Sequence, residues 1–347
     1  MRVLLIAPNW IGDAVMAQPL LALLAKRWPS ATFDAVAAPH IAPVIQAMPE
    51  IDSVLTLPLV RGTLQLRSRW QLAATLRDRR YDRCYVLPNS FKTAITPWLA
   101  RIPIRIGHRG EARYGLLNRR LDAGGSKARL MVEHYAMLAQ EPGQPLPNRL
   151  PDPVLRADPA IGEQVRRTHL AQVSSHYLVL CPGAEYGPAK RWPTRHFAAL
   201  VRLASRHWPD TTVVCLGAGK DRGLATEIRT LSAQPVLNLA GDTQLNEAIA
   251  IIAMARGVVS NDSGLMHVAA ALGRPLVAVF GSSDPRHTPP LSPNAKVQWL
   301  HLSCSPCFAR TCPMGHTNCL NQIEPGEVMS ALEQSIREKA ATSQELR

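Results

Sequence analysis

The chain has 347 residues, more than one ordinary hydrophobic core accommodates, which predicts two domains. Hydrophobic residues make up 46% and charged residues 19%, a globular rather than a disordered composition, and no apolar run reaches the roughly 18 residues of a membrane span. The formal net charge of +13 points to an acidic partner: a phosphorylated substrate, a nucleic acid or an anionic membrane. The N-terminus, MRVLLIAPNWIGD, carries no long apolar stretch with a small-residue cleavage site, so the expected location is cytosolic. Seven cysteines in that setting are expected to be reduced or metal-bound rather than a disulfide framework. The charge is concentrated: residues 61–129 hold sixteen Lys and Arg against four acids, Asp78, Asp82, Glu111 and Asp122. Such a run is either a solvated face or a surface turned toward an anion.

In chain order, the apolar run Arg2 to Pro8 predicts a strand buried on both faces. Gly12 and Asp13 follow, and the stretch AVMAQPLLALLAKRW is apolar at helical spacing, with Asp13 as its expected N-cap and Pro19 as a kink. Thr32 to Ala37, Ser53 to Leu57 and Arg83 to Leu87 read as further strands, with helical stretches such as Trp70 to Arg80 between them. This alternation predicts a parallel α/β sheet. Prolines 142, 145, 147, 151 and 153 mark an interdomain linker. A second series follows, with strands at Tyr177 to Cys181, Thr211 to Leu216, Val236 to Leu239, Gly257 to Ser260 and Leu276 to Phe280. Its helices are expected near 195–207, 220–232, 244–255 and 264–272. The domains are therefore drawn as 1–150, a linker region 151–174, and 175–324. Two Rossmann-like halves of this kind face a central cleft, and ligands bind at the carboxyl ends of the strands.

Five motifs carry candidate chemistry. Ser260-Asn261-Asp262-Ser263-Gly264-Leu265-Met266-His267 follows a strand and opens a helix that ends at Gly273. Its exposed amides suit a phosphate, and His267 lies one turn in. The alternative is a helix capped by Asp262 or Ser263 with a core histidine. Pro182 to Pro193, PGAEYGPAKRWP, places Gly183 and Gly187 beside Lys190 and Arg191, which can neutralise a diphosphate or form an ordinary solvated loop. Gly217-Ala218-Gly219-Lys220-Asp221 imitates a P-loop, but Val214 replaces its first glycine and Asp221 its Ser or Thr. Arg222 likewise breaks GxGxxG. A glycine turn remains, with Asp221 free to accept ribose hydroxyls or to cap a helix. Asn9-Trp10-Ile11-Gly12-Asp13 puts a carboxylate at a strand end, as a general base or a cap. Cys304, Cys307, Cys312 and Cys319 lie close in sequence with His316 among them; structural zinc, disulfides and free thiols all stay open.

Taken together, NWIGD at 9–13, PGAEYGPAKRWP at 182–193, NDSGLMHVAAALGRPLVAVFG at 261–281 and CSPCFARTCPMGHTNCL at 304–320 make the sequence resemble the lipopolysaccharide heptosyltransferases, glycosyltransferases of the GT-B fold in family nine. The resemblance implies transfer of a heptose from ADP-heptose, with inversion and without a catalytic metal or other cofactor. The wording at 182–193 and the cysteine-rich tail point to the first heptose of the lipopolysaccharide inner core as acceptor. The family pattern puts the base at Asp13 and the ADP-sugar on the C-terminal domain; from their own chemistry, Lys190, Arg191, the helix start at Ser263 and Gly264, and His267 are expected to stabilise the diphosphate charge, Asp221 to hold the adenosine ribose, and Asp262 to orient the donor site or cap the helix. The family pattern also expects a helix at 325–340 that crosses back to the N-terminal domain. The expected partners are ADP-heptose, the lipid A–inner core acceptor and the anionic inner leaflet at the periphery, with no nucleic acid, since no nucleic-acid module is present. The rival readings are a transferase acting on Kdo2-lipid A, an epimerase of the same fold, and a non-catalytic binder of anionic glycolipid.

Overall fold

The computed structural model describes residues 1–57, 63–122, 130–141 and 143–345. They divide into two compact units, Met1–Arg156 and Ala157–Arg347. Unit 1 runs β1 (Arg2–Ile6), α1 (Ile11–Arg27), β2 (Thr32–Ala37), α2 (Ala42–Gln46), β3 (Ser53–Thr56), α3 (Leu66–Asp78), β4 (Arg83–Val86), α4 (Phe91–Leu99), β5 (Ile104–His108), β6 (Arg119–Leu121) and α5 (Met131–Ala136). Its six strands form one parallel sheet in the order β3-β2-β1-β4-β5-β6. The strand order reverses between β1 and β4.

Unit 2 runs α6 (Pro159–Thr168), β7 (Tyr177–Cys181), α7 (Thr194–His207), β8 (Thr212–Cys215), α8 (Arg222–Ser232), β9 (Val236–Asn238), α9 (Leu245–Met254), β10 (Gly257–Asn261), α10 (Gly264–Ala271), β11 (Leu276–Val279), β12 (Ala295–Gln298), α11 (Asn318–Asn321) and α12 (Pro325–Glu345). Its parallel sheet has the order β12-β11-β10-β7-β8-β9, with the reversal between β7 and β10. The three central strands, YLVLC, GVVSN and LVAV, are buried throughout, because helices cover both faces of the sheet. Both units are thus doubly wound α/β sheets, as the alternating pattern predicts.

Three strands escape the sequence reading: β5, β6 and β12. β6 (RRL) and β12 (AKVQ) are partly exposed edge strands, held by ladder hydrogen bonds to a neighbour rather than by their own apolar content. The proline-rich segment stays with unit 1 through Arg156, whose amide donates to the Ala47 carbonyl at 2.7 Å. The Val154 amide donates to the buried Gln18 side chain at 3.1 Å. Residues 151–174 include α6, which packs on α9. The last helix, α12, lies on α7, β10, β11 and β12; its Ser335 hydroxyl donates to the Asn294 carbonyl at 2.6 Å.

The concentrated positive charge has a partly internal use. Arg69 and Arg113 are buried. Arg69 donates to the Leu64 carbonyl and to Thr96; Arg113 donates to the Pro88 carbonyl, Asn89 and the His108 carbonyl. Arg105 binds the Leu116 and Ile102 carbonyls, and Arg77 the Leu99 carbonyl. Arg67, Arg80, Arg101 and Arg120 are exposed, while Arg61, Lys127 and Arg129 lie outside the described residues. The arginine run is therefore a mixture of loop braces and open surface, which sequence spacing does not separate.

One buried carboxylate ties the first sheet together. Asp34 on β2 accepts from Ser53 (2.7 Å), Tyr81 (2.5 Å), Arg2 (3.0 Å) and Arg79 (3.1 Å). Burial pushes its pKa up, but these four donors outweigh burial and hold it below the ordinary carboxylate value. A lowered pKa gives stability that is present above the unfolded value of about 3.9 and is lost as pH falls through the folded value. We expect Asp34→Asn to cost about 2 kcal/mol at pH 7. The gap to the parent chain should close in urea titrations repeated toward pH 3; a gap independent of pH would contradict the network.

Candidate functional site

Two of the motifs, 182–193 and 260–267, converge at the strand-order reversal of unit 2, the place where open α/β sheets bind ligands. The loop after β7, Pro182 to Trp192, and the short link from β10 to α10 emerge from adjacent strands at their carboxyl ends. Lys190 Nζ lies 2.5 Å from Asp262 Oδ2, so this ion pair spans the reversal. The Ser283 hydroxyl donates to the same carboxylate oxygen. Asp262 is 6% exposed; Lys190 keeps more of its surface and also lies 5.1 Å over the Tyr186 ring.

Ser263 holds the N-cap position of α10 in extended backbone (φ −150°, ψ 170°), but its hydroxyl makes no capping bond and lies 3.1 Å from Ser260 Oγ. Asp262 does not cap the helix either; it is committed to Lys190 and Ser283. The first amides of α10, beginning at Gly264, thus have no side-chain cap and suit an anion. His267 is buried one turn in. Burial, reinforced by the Lys190 charge and opposed by Asp262, pushes its pKa down to about 4. The ring is therefore neutral at pH 7 and offers hydrogen bonds rather than charge. Because the unfolded value is about 6.5, protonation costs stability as pH falls below it. Proton NMR of the ring should show no titration between about pH 8 and pH 5; an inflection near 6.5 would contradict its buried, neutral state.

Arg191 reaches the Ala184 carbonyl at 3.5 Å and Asp221 at 4.0 Å. Asp221 is buried: Oδ2 accepts from the Ala218 amide at 3.1 Å, and among the described residues neither Oδ1 nor Arg191 Nε has a hydrogen-bond partner. Gly183 and Gly217 cover it closely, and a Cβ at Gly183 would overlap the Asp221 carboxylate. At Gly187 (φ +155°) a Cβ would overlap the Arg310 carbonyl, which also accepts from the Ala189 amide at 3.1 Å. Tyr186 donates to the Phe308 carbonyl at 2.6 Å. The segment that carries the cysteines therefore supports the Lys190–Arg191 loop from outside. All seven cysteines are free thiols. Among the described residues no cluster of three or more His, Cys, Asp or Glu is arranged to hold a metal ion.

In unit 1, Asp13 sits beside the corresponding reversal between β1 and β4. It is not the N-cap of α1. Trp10 takes that position in extended backbone, and the Ala14 amide donates to the Trp10 carbonyl, so the helix begins at Ile11 and Asp13 falls in its first turn. The early start follows from the break Pro8-Asn9 right after the strand. Pro19 lies inside a helix that continues to Arg27. α1 packs on α5, and the Asp13 charge reinforces the burial that raises the Tyr135 phenol. Arg113 braces the loops after β4 and β5 at the same end of the sheet. His108 Nε2 donates to the His134 carbonyl (2.6 Å), and burial lowers its pKa to about 4, with His134 and Arg113 adding to the shift.

The sequence reading missed Asn261, Ser283, His108 and Arg113. Asn261 had a signal, since it directly precedes Asp262 at a strand end. Arg113 had none; it was one arginine in a long run.

Residues 69–318 match glycosyltransferase family 9 (heptosyltransferase). The chain is 41% identical to lipopolysaccharide heptosyltransferase 2 of Escherichia coli K12, covering 98% of this chain and 100% of that one. It is 40% identical to lipopolysaccharide heptosyltransferase 2 of Salmonella typhimurium, covering 98% and 99%. The solved structure of E. coli ADP-heptose LPS heptosyltransferase II superposes with a TM-score of 0.84 at 39% identity, covering 98% of this chain and 100% of that one. Two doubly wound sheets matched over their full length to that structure define a glycosyltransferase of the GT-B class. The chain belongs to glycosyltransferase family 9, the heptosyltransferases.

Proposed function

We propose that this enzyme transfers L-glycero-D-manno-heptose from ADP-heptose to the first heptose of the lipopolysaccharide inner core, inverting the anomeric carbon. The observation that carries the donor half is the meeting of Lys190, Asp262 and the uncapped start of α10 at one sheet reversal. In direct displacement the acceptor hydroxyl loses its proton to Asp13 while the bond to ADP breaks and charge grows on the diphosphate. Lys190, Arg191 and the amides at Ser263 and Gly264 are placed to take up that charge. Neutral His267 adds a hydrogen bond, and Asp262 holds Lys190 in position. The burial of Asp221 beneath two glycines favours a role through Arg191 over a ribose contact. The names of the relatives support the acceptor.

The test is turnover of ADP-heptose with a one-heptose acceptor in the presence of a chelator, run beside Kdo2-lipid A. Product on the one-heptose acceptor alone is expected; product on Kdo2-lipid A alone would transfer the reading to the rival acceptor. ADP release without any acceptor would favour the epimerase reading.

No helix among the described residues is long and apolar enough to cross a membrane. Arg67, Arg80, Arg101 and Arg120 are exposed, as are Trp70 and Trp98, and side chains of these kinds are attracted to an anionic leaflet. Cosedimentation with anionic vesicles that persists unchanged at high salt would contradict an electrostatic attachment.

A further inference from the structure

The loop that carries Lys190 and Arg191 has eleven residues, two of them glycines, and has no strand or α-helix of its own. Such a segment pays conformational entropy whenever it presents two cations in one geometry. Its two ends meet at a single side chain. Asn261, the last residue of β10, is 0% exposed. Its Nδ2 donates to the Pro182 carbonyl at 2.6 Å, where the loop begins. Its Oδ1 accepts from the Trp192 amide at 3.0 Å, where the loop ends. The partners fix the amide's orientation, since a carbonyl only accepts and a backbone N–H only donates. The far end is anchored further by the Trp192 ring, which is buried and donates to the Ile323 carbonyl at 3.0 Å.

We propose that Asn261 is a positioning residue for the donor: by closing both ends of the 182–192 loop onto β10, it sets Lys190 and Arg191 opposite the start of α10. The inference rests on the reading of that loop as the diphosphate grip. It goes further in assigning the loop's geometry to a residue with no exposed surface. The covalent neighbour of Asn261 is Asp262, the partner of Lys190. The strand end therefore fixes the loop's frame through one residue and its working cation through the next. An aspartate at 261 has the same shape but, when ionised, has no hydrogen to give the Pro182 carbonyl and turns a carboxylate oxygen toward it. When protonated it again offers one donor and one acceptor, as the amide does.

The test is Asn261→Asp, with ADP affinity measured by calorimetry and donor and acceptor KM by ADP release. At pH 7.5 we expect ADP affinity to fall at least about ten-fold and donor KM to rise in parallel, the loss of roughly one buried hydrogen bond. Acceptor KM should stay within about two-fold. Lowering the pH to about 5.5 should restore ADP affinity in the variant, because a buried carboxyl takes up its proton readily, while the parent chain shows no such gain. Asn261→Ser, which can make neither bond but adds no charge, should show the donor loss at both pH values. Melting temperatures of each protein separate this from general unfolding. Unchanged ADP affinity in folded Asn261→Ser, or no recovery of folded Asn261→Asp at low pH, would overturn the proposal. If parent Lys190→Ala keeps its ADP affinity as well, the loop's role as the grip fails first, and the two failures are told apart.

Discussion

Asp13→Asn is expected to lower turnover by about 10³-fold while leaving ADP affinity within about two-fold of the parent. The side chains are nearly isosteric, so the variant keeps the packing of the first turn of α1 and loses only the capacity to accept a proton. Asp13 lies in the first turn of α1, at the positive end of the helix dipole. Its negative charge is felt by the buried Tyr135 phenol on α5, which is pushed up by burial first and by Asp13 second. ADP affinity should survive because the residues assigned to ADP belong to unit 2, Lys190, Arg191 and the α10 start among them. Asp13→Glu should retain intermediate activity, since it keeps the base but moves it by about one bond length. Turnover by ADP release, set beside calorimetry with ADP, reads both quantities. A folded Asp13→Asn enzyme within about ten-fold of parental turnover would remove Asp13 from the chemistry and would favour a binding role for this family member.

The second large effect concerns Lys190. Lys190→Ala removes the cation that faces Asp262 and leaves a carboxylate with 6% exposure beside the Ser283 hydroxyl. Breaking one side of a buried pair costs about 3 kcal/mol, so the variant should melt lower as well as work poorly. Turnover should fall about 10²- to 10³-fold, the range for losing one preorganised group that meets charge developing in the transition state. The two losses have different cures. Adding Asp262→Asn removes the stranded charge and should recover most of the stability. It should recover none of the turnover, because no cation returns to the diphosphate. Lys190→Arg should restore some affinity for ADP, though the planar guanidinium does not reproduce the point charge against Asp262. Urea unfolding of the single and double variants, with turnover measured on the same preparations, checks the claim. Recovery of turnover by Asp262→Asn in the Lys190→Ala background would mean that Lys190 serves only to neutralise Asp262.

Much of the proposed donor site was legible because its signals are local. Glycines beside a Lys-Arg pair after an apolar strand, and Asn-Asp-Ser-Gly after another, each place ligand chemistry at a strand end. The reading of Asp13 as a helix cap was wrong by three residues, since the backbone of Trp10, not the side chain of Asp13, decides where helical hydrogen bonding begins. Asp221 shows a different limit. Its neighbours in sequence suggest an open glycine turn, but Gly183, from another loop, closes over it.

The apolar runs and their spacing were enough to define two parallel α/β sheets, because strands buried on both faces must be continuously hydrophobic and crossover helices must separate them. Clustered motifs were enough to propose an anion-binding function at strand ends. Folding alone assigned individual side chains. It made Arg69 and Arg113 braces while leaving Arg67 on the surface, and paired Lys190 with Asp262 across 72 positions. It also brought both ends of one loop to Asn261. Those outcomes depend on which strands lie side by side, and strand order is a property of long-range pairing that no local stretch of sequence carries.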